Sequence, residues 1–198
     1  MDERGDGRGA DDRLQNLERQ IIELMRGNLA VAARADGAPV VTADSSAVGG
    51  AMRLVLSEMR REVPYDSCSV QELRDDRLVI IGGVGFADLD VLVGESFDVD
   101  SRDIPNSEVI YRRRPLIVRD TEQYRAFRRG LHVGDGIRSW LGVPLLYSDQ
   151  LLGMLALDKA EPDFYTNAHA QTALAFAALV ARALWTASEG DAIDAAGC

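Results

Sequence analysis

Few residues in this chain are of a type that could carry chemistry. Cysteine occurs at Cys68 and Cys198, and histidine at His132 and His169. A catalytic thiolate that cycles through oxidation needs a resolving thiol close by. Cys68 lies in an apolar-rich stretch and its one companion is the last residue, so that mechanism cannot be completed and Cys68 reads as a small core residue. Two cysteines and two histidines so placed do not assemble a zinc site. His132, between Gly130 and Gly134, and His169 are the two histidines, and a loop histidine is more often merely solvated. Gly82-Gly-Val-Gly85 superficially resembles a phosphate loop, but without a following Lys at a helix start it reads as a strand end. Gly-x-x-x-x-Gly-Lys-Ser/Thr, Gly-x-Ser-x-Gly and His-Glu-x-x-His are all missing. Arg112-Arg113-Arg114 and Arg128-Arg129 are basic clusters that read as solvated helix faces, with an anionic ligand or partner as the sharper alternative. The chain is expected not to be an enzyme and to hold no cofactor or metal.

The whole composition frames these residues. The 198 residues carry a net charge of −10, and an acidic chain is repelled by phosphate, which argues against nucleic-acid or anionic-membrane binding. The first nine residues form no signal peptide, and the longest apolar run, Ala173 to Ala181, falls short of a membrane span. A soluble, cytoplasmic protein is expected.

Residues 1–12 are mostly Gly, Asp and Arg with little apolar surface and are expected to be disordered. An amphipathic helix is predicted over 13–35, with Leu14, Leu17, Ile21, Leu24, Asn28 and Val31 at alternating spacings of three and four. That spacing is a coiled-coil seam, so a dimer-forming helix is expected, although Gly27 argues against a strong free-standing coil. A linker follows over 36–47, a domain over 48–187, and a disordered tail over 188–198.

Inside the domain, Met52, Val55, Leu56 and Met59 mark a helix stopped by Pro64. Asp66 to Leu73 and Arg77 to Ile81 read as a hairpin around Arg74-Asp75-Asp76. A helix is predicted over 106–114, a buried strand over 115–120 and a helix over 121–129. A second hairpin runs from Ser139 to Tyr147 and from Leu151 to Leu157. A long helix from Thr166 to Ser188 closes the chain, its N-cap Thr166 or Asn167, its apolar stripe running through Val180, Ala181 and Leu184. This order describes an α+β domain on one antiparallel sheet.

The segment Ile137-Arg-Ser-Trp-Leu-Gly-Val-Pro-Leu-Leu-Tyr-Ser-Asp-Gln-Leu-Leu-Gly-Met-Leu-Ala-Leu-Asp158 resembles the signature hairpin of GAF domains. Leu116-Ile-Val-Arg-Asp-Thr-Glu-Gln-Tyr124 is similar to that family's strand-then-Asp segment, and Glu161-Pro-Asp-Phe-Tyr-Thr166 to the approach to its last helix. The resemblance implies a sheet of about six antiparallel strands with helices on both faces. It also implies a regulatory module of bacterial signalling that senses a small molecule and transmits its occupancy through flanking helices of a homodimer to an output protein or domain. A dimerisation module without a ligand is the rival reading. The implied ligand pocket maps onto Asp120, Thr121 and Tyr124, with Phe86 and Trp140 as walls; Asp120 and Thr121 could instead cap a helix starting near Glu122. The implied dimer interface maps onto Leu14, Leu17, Ile21 and Leu24 with Val180, Ala181 and Leu184. The cyclic-nucleotide pattern of the family is broken: Asp158-Lys159 stands for Asn-Lys and Phe164 matches, but Ala168 and His169 fall where Asp-Glu is expected. Neither cysteine is placed for bilin attachment, and a haem-binding member of the family would use His132, or more weakly His169, as axial ligand.

Overall fold

Alternating polar and apolar side chains along β1 (Ser67–Arg74) send Cys68 and Val70 to one side of a sheet and Ser67, Ser69 and Gln71 to the other. A computed structural model describes residues 6–25, 47–100, 104–125, 127 and 136–196. In it β1 pairs antiparallel with β2 (Arg77–Val84) and with β6 (Gln150–Lys159). β3 (Ser96–Asp98), β4 (Leu116–Val118) and β5 (Ser139–Tyr147) complete a six-stranded sheet in the order β3-β2-β1-β6-β5-β4. Each ladder is antiparallel.

Two tight turns set the hairpins. Tyr147 pairs with Gln150 across Ser148 and Asp149, both at positive φ (47° and 63°), the two-residue geometry whose twist matches the flanking strands. Asp75, at φ 52°, turns β1 into β2. β2 continues through Gly82 and Gly83 to Val84, three residues past its expected end. A β-carbon on Gly153 (φ +150°) would lie 2.0 Å from the Gln71 carbonyl oxygen, where the ladder is irregular beyond Leu145. Gly153→Ala is expected to lower stability by about 2 kcal/mol, read from urea unfolding.

One sheet face is covered by α1 (Asp6–Met25), α2 (Ala47–Glu62) and α5 (Asn167–Ala196). Leu17, Ile21 and Leu24 from α1 share one core with Val55, Leu56 and Met59 from α2, Val180 and Ala181 from α5, and Leu141, Val143 and Leu145 from β5. The other face carries α4 (Pro105–Arg112), whose Val109 and Ile110 pack with Val118, Trp140, Met154 and Ala156. At the β3 end, Ile80 packs with Leu89 and Leu92 of the short helix α3 (Leu89–Leu92). This is the expected α+β architecture with helices on both faces.

Other boundaries differ from expectation as well. α1 begins at Asp6, so residues 6–12 are helical rather than disordered; Arg13 Nε donates to the Gly9 carbonyl at 3.0 Å, and its guanidinium pairs with Glu62 of α2 at 2.8 Å. α5 runs past 188 to Ala196 through a stretch without proline. α4 stops at Arg112 because Arg113 adopts a left-handed conformation (φ 50°). Residues 121–125 form turns rather than a helix. Asn28, Val31, the linker through residue 46, His132 and Cys198 lie outside the described residues. Over Asn167–Ser188, α5 is apolar and long enough to cross a membrane by length and composition. Its Ala173, Ala177, Val180 and Ala181 are buried against the sheet and α2, so in this fold it is a core helix.

Candidate functional site

Five residues were expected to line a pocket, and the structure distributes them. Asp120, directly after β4, accepts the Glu122 backbone N–H at 3.1 Å and the Gln123 side-chain amide at 2.9 Å. The Arg138 guanidinium grips both of its oxygens, Nε at 3.2 Å and Nη2 at 3.0 Å. This bidentate bond is the main reason the Asp120 carboxyl is held below its ordinary range, even against partial desolvation. Asp120 is therefore neither a helix cap, since no helix follows, nor an unanswered charge: it closes a turn and locks the entry to β5. Thr121 is buried and donates its hydroxyl to the Ile137 carbonyl at 2.6 Å, while its N–H donates to the Arg138 carbonyl. Both hold the 120–124 turn against the strand.

Trp140 is packed rather than exposed to a cavity. A β-carbon on Gly142 would lie 2.3 Å from the Trp140 ring and 2.7 Å from Val109, so this glycine is what lets the indole lie flat along β5 beneath α4. Phe127 meets the indole edge-on at 6.3 Å between centroids. Phe86 is elsewhere: it packs on Ile80, Leu89 and Leu92, with its ring against Gly83.

Of the expected five, Tyr124 does line a cleft. A space of about 350 Å³ opens between α4 and the 121–125 turns, bounded by Ile104, Ser107, Glu108, Tyr111, Arg112 and Tyr124. Tyr124 donates its hydroxyl to Glu108 Oε2 at 3.2 Å, while Glu108 Oε1 pairs with Arg112 one helical turn on, at 2.9 Å. Burial raises the Tyr124 phenol and the neighbouring Glu108 raises it further, so it stays a hydrogen-bond donor. Tyr111 forms the outer wall and donates to Asp100. Two phenols, a carboxylate, a guanidinium and a hydroxyl around an open space are what orienting a small polar molecule requires.

Beneath α4 the sheet presents polar groups that the sequence reading did not single out. Ser67 on β1, Asp158 on β6 and Trp140 on β5 lie side by side in register, and Ser67 donates its hydroxyl to Asp158 Oδ2 at 2.6 Å. Burial pushes the Asp158 carboxyl up to about 7, with the Ser67 hydrogen bond opposing and the nearby Asp66 adding to it. Further along β1, Gln71 donates to Ser69 at 3.0 Å and accepts from the Asn106 amide of α4 at 2.9 Å. The period-two placement of Ser67, Ser69 and Gln71 against Cys68 and Val70 was the available signal: it puts polar side chains on a face that α4 covers.

The remaining expectations fall into place structurally. Cys68 is fully buried, and burial together with the Asp158 charge holds its thiol well above the ordinary range. The His169 N–H donates to the Thr166 hydroxyl, and Nδ1 of His169 accepts the Thr166 N–H. The pair is a reciprocal cap at the start of α5, with the imidazole stacked on Phe164. Lys159 pairs with Asp66 at 2.6 Å. Among the described residues no group of three or more His, Cys, Asp or Glu could hold a metal ion. The seam expected to face a second copy faces its own chain instead: Leu17, Ile21, Leu24, Val180 and Ala181 are buried in one core, with Leu14 and Leu184 packed against it.

An antiparallel sheet with helices on both faces, and a cleft between one helix and the turns after the edge strand, defines an α+β domain with a concave site beside its sheet. The chain belongs to the GAF domain family, whose model matches residues 45–184. Among solved structures it is similar to the GAF domain of a phosphoenolpyruvate-protein phosphotransferase from Coxiella burnetii, with a TM-score of 0.67 and 19% identity, covering 90% of this chain and 96% of that one. The corresponding domain from Acinetobacter gives 0.63 and 14%, covering 90% and 97%. A type II free methionine-R-sulfoxide reductase from Thermoplasma acidophilum gives 0.56 and 15%, covering 67% and 88%. At these identities the likeness is one of fold. No curated protein sequence matches the chain.

Proposed function

We propose that this chain is a regulatory GAF module that senses a small molecule in the cleft between α4 and Tyr124 and passes its occupancy to the flanking helices. The observation that carries this reading is Glu108, shared between the Tyr124 phenol and the Arg112 guanidinium at the cleft floor. A polar ligand entering between Tyr111 and Tyr124 competes for those bonds and shifts α4. Val109 of α4 rests on Trp140 and Gly142, and the opposite face of β5 packs on α5, so displacement has a contiguous route to the helical layer. The module works as a homodimer through surfaces other than the buried seam. Native mass spectrometry of protein purified from its host is expected to show a bound small molecule that is lost in Tyr124→Ala and in Arg112→Ala. Retention of the same ligand with unchanged affinity in both variants defeats the assignment.

The rival reading, a dimerisation or interaction module without a ligand, draws on Trp140, whose packing fills the space where a wall was expected. Ligand-free mass spectra together with an intact dimer would favour it.

We further propose that the module has no turnover of its own. Some proteins of similar fold are free methionine-R-sulfoxide reductases, but here the internal thiol is buried and kept protonated. With a thioredoxin system supplied, reduction of free methionine sulfoxide is expected to stay at background. Turnover that Cys68→Ser abolishes would overturn this.

A further inference from the structure

Among the described residues the sheet ends at β4, three residues long and paired on one side only. Backbone groups of an edge strand alternate inward and outward, so at least one of Leu116, Ile117 and Val118 turns its N–H and C=O away from β5. That outer side opens into a second cleft of about 350 Å³ between α4 and the start of α5. Leu116 and Ile117 form its floor, Arg114 and the Arg112–Glu108 ion pair one wall, and Asn167 and Gln171 the other. A helix with side chains is roughly 10–12 Å across, whereas an extended segment fits the gap between two helices and supplies the missing ladder partner. Arg113 is engaged with the Asp149 carbonyl and Arg112 with Glu108, while Arg114 is exposed and forms no ion pair among the described residues. Arg114 is thus a cation at the cleft left for an incoming carboxylate.

We propose that the β4 edge is a docking groove for an extended, acidic segment of a partner protein, which adds a seventh strand to the sheet and sets its carboxylates against Arg114. A second copy of this chain is the poorer occupant, because pairing the two β4 edges would bring their arginine clusters together. The amide side chains of Asn167 and Gln171 offer donors and acceptors to the docked backbone on the other wall.

The probe is a fluorescein-labelled octapeptide alternating Glu with Val, followed by anisotropy on the full chain. Saturable binding is expected, weakened at least tenfold when alternate backbone nitrogens of the peptide are methylated, and at least tenfold when its Glu residues become Lys. Arg114→Glu, at an exposed position, is expected to leave the circular dichroism unchanged and to weaken binding at least fivefold. The proposal is overturned if the peptide does not bind, if the methylated or Lys peptide binds as well, or if Arg114→Glu binds unchanged. It is overturned equally if light scattering shows a dimer that Arg114→Glu disrupts, since the groove would then be filled by a second copy.

Discussion

Exchanging Leu17 and Ile21 together for glutamate unfolds the chain rather than dividing a dimer cleanly into monomers. The two side chains are 4% and 1% exposed and pack among α2, α5 and the sheet within one protomer. Removing a buried leucine or isoleucine costs about 2–5 kcal/mol by itself, and burying an unpaired carboxylate costs several more. The sum matches the roughly 5–15 kcal/mol that holds a whole domain together. Circular dichroism should show loss of cooperative melting, and light scattering should report unfolded or aggregated material. A folded monomer of native melting temperature would mean that α1 faces a partner and not its own core.

The second large effect concerns Asp158. Its folded pKa, about 7, lies well above the roughly 3.9 of an unfolded aspartate. The folded state therefore binds the extra proton, and stability falls as pH rises from about 4 to about 7, after which the penalty is complete. At about 1.4 kcal/mol per pH unit, Asp158→Asn, which still accepts from Ser67, is expected to raise stability at pH 8 by on the order of 2–4 kcal/mol. At pH 4 the change should be small. Urea titrations of both proteins at pH 4, 6 and 8 read the difference directly; parallel pH profiles would show that Asp158 does not titrate in this window.

Most of the sheet is legible in the sequence because its signals are local. Ser148-Asp149 between two apolar runs fixes a hairpin, Pro64 ends α2, and Thr166 begins α5. The seam of α1 was legible as a stripe, but periodicity says only that Leu17 and Ile21 are buried, not whose atoms bury them. α2 and α5 lie about 30 and 160 residues away along the chain, and a heptad cannot distinguish them from a second copy. The surroundings of the site residues were hidden for a related reason. Asp120 was correctly placed beside Thr121 and Tyr124, but its charge is answered by Arg138, eighteen residues on, and that separation has no local signature. Phe86 and Trp140 look alike as aromatic walls until the strand order sets β1 and β6 between them. Residues 121–129 carry helical spacing, and the Asp120 carboxylate takes the Glu122 N–H as a helix cap would, yet residues 121–125 form turns.

The unbroken course of α5 has a mechanical consequence. Thirty helical residues span about 45 Å at 1.5 Å per residue, whereas the ten residues of β6 cover roughly 33 Å. The helix is held in the core from Ala170 through Ala183, and thirteen further residues run on to Ala196. The held part acts as a fulcrum with an arm of about 20 Å beyond it: a tilt of about 5° at Ala183 carries Ala196 through about 2 Å. A sub-ångström adjustment between β5 and α5 is thereby enlarged at the distal turn.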